Sequence, residues 1–294
     1  MRFVVGFTPG GPSDILARAL GQKLAERWSQ QVVIENRPGA GGNLAAESVA
    51  KSAPDGHTWL LGNNSILATN QSLYRSLPYD PAKDFAPVAL VAIQPNILVV
   101  HPGLSVSSVT ELIALLKANP GKLNYASSGS GAAAHLAGEL FKAMAGVDIV
   151  HVPYKGSSGA RTDMLGGQVQ MMFDAITTMA PNVRAGKLKA LGSSGKQRSS
   201  VLPDVPTVSE SGVPGYEAVI WLGILAPAGT PRPIVEKLNG EITKIVLAPE
   251  MKEAWARQGA VPMTMTTEEF GRYLRDDIEK WARIVKISGA KADQ

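Results

Sequence analysis

The sequence predicts an α/β protein of two lobes, each a mainly parallel sheet flanked by helices, joined by two crossing strands. Three observations predict it. Apolar runs of strand length alternate with segments of helical period. Glycine-rich turns recur where a strand hands over to a helix. The pattern restarts at LNYASSGSG, between two long extended segments, NILVVHP and AVIWLGILAP. Read as crossing strands, these place residues 1–99 and 222–294 in a first, discontinuous lobe and 100–221 in an inserted second lobe.

The elements follow in order. FVVGF leads through FTPGGPSD into a helix from about Ser13 to Trp28; QVVIEN leads through RPGAGG into a helix from about Asn43 to Lys51. TWLLGN is a strand, and APVALVAI and NILVVHP are two further extended runs. SVTELIALLKANPG is a helix capped by Ser107 or Ser108 and closed by Pro120-Gly121. In the restarted half, a strand, a glycine-serine loop and a helix follow, with Leu136, Leu140, Phe141 and Met144 on one face. DIVHVPYKGSSGARTDMLGG repeats that form, and VQMMFDA and LKALGSSG are strands. The proline-rich LPDVPTVSESGVPGYE suits neither a central strand nor a continuous helix. The C-terminal part is helical, with a capping box of Thr266 and Glu269 and a stripe of Phe270, Leu274, Ile278, Trp281 and Val285.

Bulk properties narrow the function. The 294 residues are enough for two cores, and 45% hydrophobic with 18% charged residues is a globular composition. No apolar run approaches the roughly 20 residues that cross a bilayer, so direct membrane insertion is not expected. A net charge of +4 without a basic block gives no nucleic-acid footprint. The absence of cysteine excludes disulfides, thiolate nucleophiles and Cys-ligated metals. His57, His101, His135 and His151 stand at no metal-ligand spacing, so no metal is expected.

The chemical motifs point away from catalysis. GSGAAA, Gly129 to Ala134, matches a dinucleotide fingerprint but lacks the acid at the end of the next strand, so no cofactor is expected. Ser127, Ser128 and Ser130 have no G-x-S-x-G elbow and only His135 near in sequence. What remains is the repetition of small-residue turns before helices. A helix's first N–H groups have no intrahelical partner, and glycines let them converge on an anion. Pro9 to Ser13 and Gly39 to Gly42 offer such turns in the first lobe, and Ser127 to Gly131 and Gly156 to Gly159 in the second. The expected ligand is a small carboxylate clamped from both lobes by charge-assisted hydrogen bonds.

Six stretches in order carry a family resemblance: FTPGGPSDILAR, VVIENRPGAGGNLAAE, KLNYASSGSGAAAHLAGELF, VDIVHVPYKG, TDMLGGQVQMMFD and LPDVPTVSESGVPGYE. Together they resemble the Bug, or TctC-like, solute receptors of tripartite tricarboxylate transport systems, from about Arg2 to Gly289. The resemblance implies a two-lobed periplasmic binding protein of type II, with membrane components of such a transporter as partners. It implies periplasmic localisation through an export signal, with Met1 standing in place of a removed leader. The loop Thr8, Pro9, Gly10, Gly11, Pro12, Ser13 and Asp14 and the loop Ser127, Ser128, Gly129, Ser130 and Gly131 would hold a ligand carboxylate.

Further pocket candidates are Asn63 with Asn64, His135, Tyr154, Asp174 and Trp221. Asp174, ending a very apolar strand, needs a partner: a ligand ammonium, a helix-terminal N–H or an arginine. Trp221 suits either a ligand's apolar body or the core. Two other functions stand beside the receptor: a hydrolytic enzyme on a similar scaffold, using Ser130 or His135, and a ligand-sensing receptor feeding a signalling system.

Overall fold

The computed structural model describes residues 1–291 apart from Thr8, Gly11, Lys155, Gly156 and Gln258, and the backbone alone of Pro12 and Ser288. In chain order it forms β1 (Arg2–Val5), α1 (Pro12–Trp28), β2 (Val33–Asn36), α2 (Asn43–Ala50), β3 (Thr58–Asn63) and α3 (Asn70–Leu73). Then come β4 (Phe85–Val100), α4 (Val109–Ala118), β5 (Asn124–Ser127), α5 (Ala133–Ala145), β6 (Val150–Pro153), α6 (Ser157–Leu165), β7 (Met171–Ala175) and α7 (Ile176–Arg184). The chain ends through β8 (Lys189–Ser193), β9 (Val219–Pro227), α8 (Arg232–Val246), α9 (Pro249–Ala256), β10 (Val261–Pro262) and α10 (Thr267–Ser288).

The chain divides into two compact units, Met1–Ile93 with Trp221–Arg283, and Gln94–Ile220 with the residues from Ile284 onward. Strands β4 and β9 each run from one unit into the other. In the first unit β2, β1 and β3 are parallel, and β9 joins β3 antiparallel. In the second, β6, β5 and β7 are parallel, and β4 pairs antiparallel with both β7 and β8. The sheets are therefore mixed: a parallel core of three strands in each unit, with the strands shared by the units running against it.

Burial on both faces explains why these strands read as unbroken apolar runs. Phe3, Val5, Trp59 and Leu61 pack with Leu16, Leu20 and Leu24 of α1 and Leu238 and Ile242 of α8. Their neighbours Val4 and Leu60 turn to the other face, against Ala45, Ala46 and Val49 of α2 and Phe270 and Leu274 of α10. In the second unit Ile97, Val99, Ala126 and Met172 pack with Ala160 and Met164 of α6 and Met179 of α7.

The two extended runs around residue 94 are one strand, β4. Pro95 offers no N–H to a ladder, and it falls where β4 changes partners. Ile93 pairs with Val261 of β10, whereas Asn96 and Ile97 pair with Ala175 and Asp174 of β7. The next amide, Asn96 N–H, donates to Ser194 Oγ at 2.8 Å.

The caps are as the sequence indicates. Ser108 Oγ accepts from Glu111 N–H, and Thr266 and Glu269 exchange side chain-to-backbone bonds at 2.9 and 3.2 Å. One expectation is corrected: Met144 is 40% exposed rather than packed with Leu136, Leu140 and Phe141. Helix α5 is buried all round from Ala134 to Phe141 and emerges in its last turn, so position along the helix decides Met144, not its face.

Candidate functional site

In the second unit, parallel register sets the ends of β5, β6 and β7 side by side. Ser127 lies opposite Pro153, and Ala126 opposite Met172, two residues before Asp174. Helices α5, α6 and α7 begin just beyond these ends. Partial positive charge from helix N-termini therefore gathers at the carboxyl edge of the sheet.

The turn from Ser127 to Ala132 is held from below. Ser127 is fully buried; its Oγ bonds Gly129 N–H at 3.2 Å and Gly129 C=O at 3.0 Å, and meets His151 Nε2 at 2.6 Å. Gly131 N–H donates to His135 Nδ1 at 2.9 Å. The sequence builds this support by alternation. Tyr125 and Ser127 share a face of β5, Tyr125 is the register partner of His151, and His135 and Glu139 lie one turn apart on α5. The imidazoles of His135 and His151 stack at 3.8 Å, and the Tyr125 hydroxyl donates to Glu139 at 2.6 Å.

What the turn leaves unused defines its chemistry. Helix α5 starts at Ala133 without a side-chain cap. Among the described residues, no hydrogen bond occupies the N–H groups or hydroxyls of Ser128 and Ser130, and both residues are only partly buried. Gly129 adopts φ +143°, and a Cβ there would lie 3.3 Å from the Tyr154 carbonyl. Free amides, small hydroxyls and an uncapped helix make a seat for an anion.

Burial pushes His135 down to about 4, helped by Lys142, and burial with the neighbouring His135 does the same for His151. Both rings are thus neutral at pH 7, which His135 Nδ1 needs in order to accept from Gly131. With folded values below the free value of about 6.5, the pair's contribution to stability is complete above that pH. It is lost as pH falls toward 4. Chemical denaturation across pH 4 to 6.5 should show stability rising with pH, and His151→Gln should lower that slope by roughly one proton. An unchanged slope would mean that the pair does not titrate with folding.

In the first unit, Asp14 organises the loop after β1. Its Oδ2 accepts from Gly10 N–H and Arg18 Nε, both at 2.9 Å, and its Oδ1 from Asn36 Nδ2 at 2.9 Å. Asn36, at the end of β2, also donates to Phe7 C=O at 3.0 Å. Burial pushes the Asp14 carboxyl up, but Arg18, the Gly10 amide and Asn36 together hold it below the usual range. Asp14 is 2% exposed, so the loop's acid ties the turn together, and the Gly10 amide is spent on it. Pro9 and Gly10 are exposed and Ser13 is half-buried; Thr8 and Gly11 lie outside the described residues, as does the side chain of Pro12.

The other candidates divide. Asn63 Oδ1 accepts from Ile66 N–H at 3.0 Å, capping the turn after β3. The Tyr154 hydroxyl donates to Asp163 at 2.6 Å, a bond that raises its pKa to about 12. Trp221 is fully buried, edge-on to Phe270 and Tyr273, with its N–H on Asp277 at 2.7 Å, which is a core position. Asp174 accepts from Ala175 N–H at 2.8 Å and lies 3.6 Å from Arg161 Nη1. Sequence reasoning did not single out Arg18, Asn36, His151 as a support, or Arg161. Only Asn36 carried a signal, as the polar end of an apolar strand before a glycine turn. Among the described residues no metal-binding cluster occurs, and no helix is long and apolar enough to cross a membrane.

Two α/β units that share two strands are the architecture of periplasmic binding proteins. The chain belongs to the tripartite tricarboxylate transporter family receptors, whose family model matches residues 16–290. It is 39% identical to protein BugT of Bordetella pertussis over 292 residues, covering 99% of this chain and 90% of that one. Among solved structures, R. palustris Rpa4515 with adipate is 38% identical with a TM-score of 0.83, covering 99% of this chain and 97% of that one. MatC from Rhodopseudomonas palustris with bound malate is 34% identical, with a TM-score of 0.78 and coverage of 97% and 98%. The protein is a solute-binding receptor by family.

Proposed function

We propose that this protein is a periplasmic receptor that captures a small organic carboxylate and delivers it to the membrane components of a tripartite tricarboxylate transporter. The candidate ligands are di- or tricarboxylates, aromatic carboxylates and acidic amino acids. The observation that carries the reading is the uncapped start of α5, where the amides and hydroxyls of Ser128 and Ser130 have no partner among the described residues. The adipate and malate named with two solved relatives are of the same chemical class.

In this reading Ser128, Gly129 and Ser130 hold one carboxylate, while Ser127, His135 and His151 keep the turn in shape. In the first unit, Asp14 and Asn36 fix the path of the loop from Pro9 to Ser13. Asn63 and Tyr154 do not grip the carboxylate, because their polar atoms already hold Ile66 and Asp163.

Titration with di- and tricarboxylates, aromatic acids and acidic amino acids is the test. One saturable site is expected. At a hundredfold excess over Kd it stabilises by about 2.7 kcal/mol, a rise in Tm on the order of 5–10 °C. No response to any of them would overturn the reading.

A further inference from the structure

Alternation along β7 turns Asp174 to the same face as Met172, the face covered by α6 and α7. There Arg161 of α6 brings Nη1 to 3.6 Å from Asp174 Oδ2. That separation is too long for a hydrogen bond. Oδ2 accepts none from any described residue, although the Asp174 side chain is only 11% exposed. Arg161, 28% exposed, has five N–H donors, and among the described residues this loose ion pair is its one polar contact. A buried carboxylate oxygen left without a donor is costly, and such groups in native proteins call for an explanation. Burial raises the Asp174 pKa, and the Ala175 amide, Arg161 and the Thr178 side chain only partly oppose it.

Resting on the receptor reading above, we propose that Arg161 and Asp174 together select the ligand, receiving a hydroxyl borne by a small hydroxycarboxylate. A hydroxyl accepts from the guanidinium through oxygen and donates its proton to Oδ2, so both unused capacities are filled by one neutral group. A second carboxylate is drawn to Arg161 but has no proton for Oδ2, and its charge opposes that of Asp174. An ammonium satisfies Oδ2 but faces Arg161 with like charge. The position suits such selection, since Asp174 ends a strand beside β5, whose end carries the anion-seating turn. Rejection by unpaired buried polar groups is the strongest discrimination such a site can make.

Calorimetric titration with four triads tests it: malate, succinate and aspartate; 2-hydroxyglutarate, glutarate and glutamate; 2-hydroxyadipate, adipate and 2-aminoadipate; mandelate, phenylacetate and phenylglycine. In the skeleton that binds, the hydroxy acid should bind about tenfold or more tighter than both analogues. In Arg161→Met and in Asp174→Asn the ratio to the deoxy compound should fall toward one. Wild-type protein that binds a triad without hydroxyl preference, or a preference that survives both substitutions, overturns the selection by Arg161 and Asp174 and leaves the receptor standing. Failure of all twelve compounds, and of citrate and tricarballylate beside them, to bind overturns the receptor reading itself. The wild-type ratios need no variant to fold.

Discussion

Gly129→Val is expected to lower carboxylate affinity by about a hundredfold or more while the protein stays folded. Two effects act together. A β-branched residue is strained at φ +143°, by on the order of 1–3 kcal/mol, so the turn must leave its present path. The new Cβ would also lie 3.3 Å from the Tyr154 carbonyl, so the turn that carries Ser128 and Ser130 or its neighbour must give way. The loss of Tm should stay within several degrees, because that strain is a modest fraction of a domain's stability. Gly146→Ala is the control: it carries positive φ of +63° at the end of α5, with open space around its Cβ. It should cost comparable stability and leave affinity intact. Melting curves and calorimetry on the two variants separate these outcomes, and wild-type affinity in Gly129→Val would refute the seat.

Trp221→Ala should cost about 3–5 kcal/mol, the usual loss for a large buried aromatic, and lower Tm on the order of 10 °C. The indole is fully buried between Phe270 and Tyr273, and its N–H is one of two indole donors on Asp277. Asp277 is 4% exposed and keeps Trp281 at 3.1 Å and Lys280 at 2.7 Å after the substitution. The loss is therefore cavity plus one charge-assisted bond, not an abandoned charge. Trp221→Phe, which keeps most of the volume, should lose roughly 1–3 kcal/mol, the cost of an under-satisfied buried acceptor. Its affinity for carboxylate should change less than about twofold. A large drop in affinity with unchanged stability would return Trp221 to the binding surface.

Legibility followed the range of the interactions. Strand-to-helix turns are local, so FTPGGPSD and SSGSG were readable as backbone-exposing loops from their glycines and serines alone. Caps are local too, and Thr266 with Glu269 was readable from its spacing. The continuity of β4 was not, because Pro95 looks like a break until its position between two sets of pairing partners is known. Nor was the support under the second-unit turn: His151 meets Ser127 across 24 residues, through a register that no periodicity encodes. Asp14 shows the same limit in reverse. Its place in FTPGGPSD suggested a ligand contact, whereas Asn36, brought in by β2, makes it the knot of its loop. For Asp174 the need for a partner was legible from apolar surroundings, but the identity and looseness of that partner are products of packing.

Amide NMR during the carboxylate titration tests the central claim most directly, since it reports which peptide nitrogens meet the ligand. The backbone resonances of Ser128 and Ser130 should shift strongly and saturate together at one equivalent of ligand. Those of Gly131, bonded to His135, should move little. Saturable binding that leaves Ser128 and Ser130 unmoved while resonances elsewhere shift would contradict the claim that this turn seats the carboxylate.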